Sequence, residues 1–556
     1  MSSSRPSLQK SHARRWCSCE GLFLDSLATD SAWIREVGIL RLPPLDQPLS
    51  LRIHGAFQSH PEGNARKPGM PGLEIRVTGS DRIHRVAAPP QGAGPWEVTV
   101  QTAPAPASGS IEIRLRLTGV AWTNALAWLG RVTGFSFLQR FRAQGRNRRL
   151  RISKVETSGG ETILDFANRQ SPLAPEFLRK HLNLGVNIVG FLTADLGIGE
   201  SARCMVRAAD AVALPAALID LRLHCKNRRG DMTCAPRLVS EPVHPVNIVH
   251  VDPPASLDLE HHHGKKFRSE HYNIGYWAWE LPEFPDAWMR AFDCFDEIWC
   301  PSEFVRASIA SKSPVPVLAM PHAIEFRRPA ASTPQLRQGL GLPVDHFLFL
   351  FLFDLNSYAE RKNPRAVIDA FRRSGLQQEG CRLVLKVHNV AGNESDLAIL
   401  RASIADLLGT VVITDTLPRD ELYALEAACD CFVSLHRSEG FGLALAECMY
   451  LGKPVIATGW SATTEFLDAE SGLPVRASLV TLDRNHGPYS KGQVWAEPDI
   501  DHAAEQMRRV HRDAELRTRI GSAGRKRIES ALSPAVIGAR YRRRLEAIAM
   551  HHASLS

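Results

Sequence analysis

The sequence predicts an α/β protein in which two doubly wound, parallel-sheet domains face a cleft, preceded by an antiparallel β-sandwich-like module. Three observations carry this prediction. From Val186 onward, short apolar runs alternate with helical stretches, as in parallel strands joined by crossover helices. The alternation restarts at Phe347, which makes a second unit of the same kind. Before residue 166, single apolar residues alternate with polar ones between proline- and glycine-rich turns, the pattern of strands with one buried face.

The N-terminal module is assigned residues 1–170. Leu49, Leu51 and Ile53 define one strand, Leu73, Ile75 and Val77 another. Trp96, Val98 and Val100 define a third, and Ile111, Ile113, Leu115 and Leu117 a fourth. Short strands and turns such as Pro89-Pro90-Gln91-Gly92 suggest a sandwich. No sugar-binding constellation is visible, so packing against the rest of the chain is the default role. The segment Trp122–Arg151 departs from this pattern, mixing aromatic residues with seven arginines. Such a segment lies in a membrane interface or covers a domain junction, with arginine stems spread over apolar surface. Gly130 and Gly134 weaken a long amphipathic helix and favour the junction. A linker with Pro172 and Pro175 follows.

The first parallel domain is assigned 185–330. Its strands are expected at Val186–Leu192, Ala217–Leu221, Val246–Val251, Asn273–Tyr276 and Glu297–Cys300, with a helix starting near Gly199. A C-terminal helix, 533–550, is expected to complete it. The second domain, 335–530, opens with the seven apolar residues Phe347–Phe353, enough for a buried strand and too few to cross a membrane.

The chain has 556 residues, 44% hydrophobic and 23% charged, with a formal charge of +8. This is the composition of a folded protein with room for large cores. The positive balance suits an anionic ligand or membrane surface. No nucleic-acid-binding motif accompanies it, so a nucleic-acid partner is not argued. Gly21-Leu22-Phe23-Leu24 is cut short by Asp25, leaving no visible secretory signal. The expected location is therefore cytoplasmic, at most peripheral at the inner face of the membrane. Eleven cysteines lack framework spacing and read as free thiols. Cys17-Ser18-Cys19 and His261-His262-His263 read as loops rather than metal sites.

Chemistry concentrates in Ser434-Leu435-His436-Arg437-Ser438-Glu439-Gly440-Phe441-Gly442-Leu443-Ala444-Leu445-Ala446-Glu447. An apolar strand, Cys431–Leu435, leads through a glycine turn into a helix. Free N–H groups at Gly440, Phe441, Gly442 and Leu443 can face an anion. Glu439 precedes the helix and Glu447 lies about two turns into it. A capped strand–turn–helix without function is the plain alternative. Elsewhere, Gly197 and Gly199 open a helix after a strand, where backbone can approach a ligand. Arg361 and Lys362 follow the phenylalanine–leucine strand, near Asn356, and could neutralise a diphosphate. Lys386 ends another strand on the cleft side, or is an ordinary surface lysine. Trp277 and Trp279 suit a sugar face, and Glu280 is a catalytic candidate that can bind hydroxyls or assist proton transfer; the alternative is aromatic core with a capping acid.

The run from Ser434 to Glu447 resembles the Glu-(seven residues)-Glu motif of retaining glycosyltransferases of the GT-B fold, family 4, the "glycosyl transferases group 1". Gly452-Lys453-Pro454-Val455-Ile456-Ala457 and Gly459-Trp460-Ser461-Ala462-Thr463-Thr464-Glu465 resemble the family's next strand and loop. The resemblance reaches from about Val186 to the C-terminus and leaves the first third uncovered. It implies two Rossmann-like domains and transfer of a hexose-type sugar from a nucleoside diphosphate sugar to a glycan or lipid-linked saccharide, as in bacterial-type polysaccharide assembly. It implies Glu447 on the ribose hydroxyls, Glu439 on the transferred sugar, phosphates over Gly440–Leu443, His436 beside them, and Glu280 with the acceptor-side tryptophans. It implies no metal and no organic cofactor. The family usually has an arginine near position 356 or 357; Asn356 and Ser357 stand there, so Arg361 is the substitute. A phosphorylase of the same fold and a non-catalytic glycan-binding protein are the other readings.

Overall fold

The structure is a computed structural model. It describes residues 18–24, 31–42, 48–57, 72–89, 93–102, 111–118, 150–168, 174, 176–177, 184–225, 227–269 and 271–552. Most of the segment Trp122–Arg151, positions 122–149, therefore falls outside the described residues.

Nine antiparallel strands between Ser18 and Asp165 form one sheet. Its longest path runs from Ile83–Ala87 through Gly72–Val77, Ile111–Thr118, Ala32–Leu42, Leu150–Thr157 and Ser50–Phe57 to Gly94–Gln101. The two ends of the path come together, so the sheet wraps around a single core. Leu51, Ile53 and Phe57 point inward from one strand, and Ile111, Ile113, Leu115 and Leu117 from another. Their polar neighbours face outward, as the period of two requires. The sandwich-like expectation is thus realised by one curled sheet.

Two lobes follow, each a six-stranded parallel sheet. In the first, the spatial order is Ala216–Asp220, Val186–Gly190, Val246–His250, Tyr272–Tyr276, Glu297–Cys300, Val317–Ala319. In the second it is Val411–Ile413, Cys381–His388, Phe347–Asp354, Cys431–Ser434, Val455–Thr458, Leu473–Val475. Each order reverses direction beside its first strand, and ligands of such sheets bind at the carboxyl ends of strands at that switch point. For the second lobe the switch lies between the loop after Asp354 and the turn after Ser434.

The strand Phe347–Asp354 shows why its sequence is apolar throughout. Phe349, Phe351 and Phe353 pack on one face of the sheet, while Leu348 and Leu350 pack on the other. Both faces of a parallel sheet are covered by helices, so strict alternation with polar residues disappears.

The chain finally returns to the first lobe through the helix Pro534–His552, which packs against the helix Gly197–Ala211. Tyr541 stacks on Trp299 at 5.3 Å, and Arg544 is ion-paired with the buried Glu297. Gly538 sets the closeness of the helices: a Cβ there would lie 2.2 Å from the Ala208 carbonyl oxygen. Gly538→Ala is therefore expected to cost about 1–3 kcal/mol, the usual overpacking penalty. A lower urea midpoint would register it, and an unchanged midpoint would show that the helices slide apart freely. Among the described residues, no helix is long and apolar enough to cross a membrane.

Candidate active site

A cavity of about 770 Å³ lies between the lobes at the carboxyl ends of both sheets. Its floor on the second lobe is the turn after Cys431–Ser434. Gly442 takes the left-handed conformation, φ 95°, and caps the helix Leu443–Tyr450. A side chain there would be strained and would meet Thr463 at 2.8 Å. Gly440 is required for a different reason: a Cβ would lie 3.0 Å from the Trp279 carbonyl oxygen of the facing lobe. Ser302 donates to the Gly440 carbonyl at 2.8 Å, and Ser438 donates to the Glu280 carbonyl. Gly440, Phe441, Gly442 and Leu443 all line the cavity. Glu447 is the fifth residue of its helix, so it stands just over one turn in, nearer the turn than the sequence suggested.

Glu439 is buried, and its carboxylate is held by two cations. Lys362 Nζ donates to Oε1 at 2.5 Å, and Arg361 Nη1 lies 3.3 Å from Oε2. Burial opposes the charge, but Lys362 and Arg361 outweigh it and pull the carboxyl down to about 2. Arg361 is itself buried, donates to the Ser438 carbonyl at 3.0 Å, and approaches Glu280 at 3.8 Å. Tyr489 completes the row, donating to Glu280 Oε2 at 3.1 Å. The sequence reading gave Arg361 and Lys362 to a diphosphate as a clamp. The structure pairs both with Glu439, so a ligand phosphate would meet them as part of a balanced ion-pair group.

Glu447 has a comparable arrangement. It is ion-paired with Arg419, which also lies 3.7 Å from Glu200 of the facing lobe. Glu200 is further held by Arg203 at 2.8 Å and Arg207 at 2.6 Å. Burial raises the Glu447 carboxyl against the pull of Arg419. Behind it, Glu426 is buried with no hydrogen-bond partner for either oxygen, and burial beside Glu447 pushes it well above the carboxylate range. The charged row Glu200–Arg419–Glu447 thus joins the lobes at the place where the second acid of the motif sits.

The remaining expected site residues divide into three groups. Gly197, Asn356, Lys386 and Glu280 line the cavity. Gly199 and His436 do not. Gly199 is packed where a Cβ would lie 2.5 Å from the Phe191 carbonyl oxygen. His436 is buried behind the turn, 3.1 Å from Ser434 Oγ and 3.3 Å from Thr463 Oγ1, and burial lowers its pKa to about 4. Trp277 and Trp279, expected on the acceptor side, are core residues. Trp277 packs among Phe284, Phe292 and Phe295, and Trp279 against Trp288 and Tyr489. The extended chain there alternates, so Tyr276, Ala278 and Glu280 face the cavity and the tryptophans face away.

Arg419, Glu200 and Tyr489 were not among the expected site residues. Glu200 directly follows Gly199, and its place on the first turn of the helix Gly197–Ala211 was the available signal. Tyr489 arrives on a hairpin, Ala477–Thr481 with Val494–Pro498, whose residues Leu482, Tyr489 and Trp495 join the aromatic core of the first lobe. Among the described residues, no group of three or more His, Cys, Asp or Glu side chains is placed to hold a metal ion.

The glycine turn and the paired acids, which form the second-lobe side of the cleft, fall in a segment that matches a known family. Residues 332–527 match the family Glycosyl transferases group 1. The alpha-monoglucosyldiacylglycerol synthase of Streptococcus pneumoniae (strain ATCC BAA-255 / R6) is 31% identical over 173 residues, which are 30% of this chain and 37% of that protein. The match thus spans little more than a third of that relative's length. The Anabaena protein Alr3699/HepE, crystallised with UDP and glucose, superposes with a TM-score of 0.50 at 14% identity, over 65% of this chain and all of that one. Sucrose-phosphate synthase (tll1590) of Thermosynechococcus elongatus gives 0.47 at 14% identity, over 66% and 99%. The two parallel-sheet lobes of the chain have the GT-B fold.

Proposed function

We propose that the chain is a retaining glycosyltransferase that moves a hexose-type sugar from a nucleoside diphosphate sugar to a glycan or lipid-linked saccharide. The observation that carries this reading is the placing of Glu439 and Glu447 on either side of the Gly440–Leu443 turn, on the wall of an interlobe cavity, within the segment matched to the group 1 family. The diphosphate would lie over the turn, where helix N–H groups and the dipole favour negative charge. Glu447 would accept from ribose hydroxyls, with Arg419 turning wholly to Glu200. Glu439, kept ionised by Lys362 and Arg361, would stand beside the transferred sugar and favour positive charge developing at its anomeric carbon.

The name of the pneumococcal relative, a glucosyl-lipid synthase, supports a hexose and a lipid-borne acceptor. The Anabaena neighbour makes UDP-glucose the first donor to try. The assay is hydrolysis of a panel of nucleotide sugars, then transfer to acceptors with the anomeric configuration of the product read by NMR. Retention is the expected outcome; inversion would overturn the retaining assignment, and turnover of no nucleotide sugar would overturn the enzyme. The reading includes no metal or organic cofactor, so activity is expected to survive exhaustive chelation with EDTA.

Binding separates the roles of the two acids. Glu447→Gln keeps the shape and leaves Arg419 its partner Glu200, so the fold should hold. Charged hydrogen bonds contribute about 1.5–3 kcal/mol, so nucleoside diphosphate affinity should fall by about ten- to a hundredfold. Unchanged affinity in calorimetry would remove Glu447 from the ribose.

A further inference from the structure

Among the described residues, the lysines and arginines on the cavity wall are paired with carboxylates, with one exception. Arg203 meets Glu200 and Asp231, Arg228 meets Asp195, Arg361 and Lys362 meet Glu439, and Arg419 meets Glu447. Lys386, in contrast, lies against the cavity with only 5% of its surface exposed and donates only to the carbonyl of its neighbour Val387, at 3.1 Å. Burying an ammonium costs several kcal/mol unless a partner repays it. Here the structure supplies one backbone carbonyl for three donors.

We propose that Lys386 is a specificity-determining residue: its ammonium donates to a ring carbonyl oxygen of the donor's nucleobase, so that the cleft selects an oxo base, uracil or guanine, over adenine. This rests on the nucleotide-sugar reading above and names the class of base it leaves open.

Position argues for the base rather than the phosphates. In the sheet register Lys386 stands opposite Leu352 and Ile413. It lies on the strand Cys381–His388, and the strand Phe347–Asp354 separates that strand from the one leading into the Glu439 turn. Two strand spacings put it about 10 Å to the side of the phosphate turn. A diphosphate on the turn and a ribose at Glu447 leave the base as the part of the ligand that extends sideways. Among polar neighbours, Leu352, Leu417, Leu422, Phe432 and Leu445 also line the cavity. Apolar side chains of this kind are what the faces of an aromatic ring pack against.

The chemistry of the lysine then sets the choice. An ammonium has three donors and no acceptor. Uracil and guanine present carbonyl oxygens at the ring edge, whereas adenine presents an amino donor at its corresponding edge. A site built around a hydrogen bond rejects the analogue that cannot make it, because its own buried group is left unpaired. Burial pulls the Lys386 pKa down to about 8, while Asp415 and Asp354 work to retain its charge, so the ammonium form prevails at neutral pH.

The test is titration calorimetry of UDP, GDP and ADP with wild type, Lys386→Met and Lys386→Gln, with apo melting temperatures as the folding control. Wild type is expected to bind UDP or GDP about tenfold or more tighter than ADP. Lys386→Met should abolish most of that preference by weakening the oxo nucleotide and leaving ADP within about twofold. Lys386→Gln, which retains a neutral donor, should keep part of it. A preference unchanged in Lys386→Met overturns the proposal, as does an equal loss for all three nucleotides, which would make the lysine a general anion-binding group. Failure of wild type to bind any of the three sinks the nucleotide-sugar reading itself.

Discussion

Glu439→Gln is expected to give a folded protein that binds nucleoside diphosphate almost as wild type does and turns over about 100- to 1000-fold more slowly. The carboxylate is fixed by Lys362 at 2.5 Å and by Arg361 at 3.3 Å, so its charge is placed before any substrate arrives. A preorganised charge costs no reorganisation when the anomeric carbon becomes positive, and such a contact gives about 2.7–4 kcal/mol in the transition state. An interaction made only in the transition state lowers kcat and leaves binding in place. The glutamine amide can still accept from Lys362, which limits the structural damage. Steady-state kinetics with the identified donor and acceptor, beside nucleotide calorimetry, measure both quantities. A kcat near wild type would make Glu439 a partner for Arg361 and Lys362 and nothing more.

The GT-B lobes and the acid pair were legible because they rest on local signals. Apolar runs such as Phe347–Phe353 and a glycine turn ahead of a helix are written within a few residues. The expected strands match the observed ones to within two residues at each end, and Glu297–Cys300 without any difference. What binds those acids was not legible, because it depends on residues far apart in the chain. Lys362 and Glu439 are separated by 77 positions, and Tyr489 and Glu280 by 209. Arg361 and Lys362 were assigned to phosphate from their charge and from the family's basic loop. Charge says that a cation needs an anion, and only the fold says that Glu439 is the anion at hand. The tryptophans at 277 and 279 take the second of their two expected places, the core, for a nearer reason. Tyr276, Ala278 and Glu280 lie on the other side of the same extended segment, and one side had to be core. Three aromatics within the four positions 276–279 gave no hint of which.

Arg361→Met should be among the most destabilising single changes in the second lobe. The side chain is nearly fully buried and serves Glu439, Glu280 and the Ser438 carbonyl together. Methionine fills much of the volume, so the loss is electrostatic. Removing one member of a buried ion pair typically costs about 3–5 kcal/mol, because the remaining charge stays in a poor solvent. Lys362 still holds one oxygen of Glu439, which should keep the cost near the lower end of that range. The pH dependence identifies the cause. In wild type the Glu439 carboxyl is depressed from 4.5 to about 2, so its contribution is complete above pH 4.5 and is lost as pH falls toward 2. With Arg361 gone, burial opposes the charge with less resistance, the folded pKa rises, and the acid-linked part of the stability shrinks. Urea unfolding between pH 3 and 7 should therefore show wild type losing more stability over that interval than Arg361→Met, although the variant is the weaker protein at pH 7. Parallel losses across the interval would show that Arg361 acts on Glu439 through packing and not through charge.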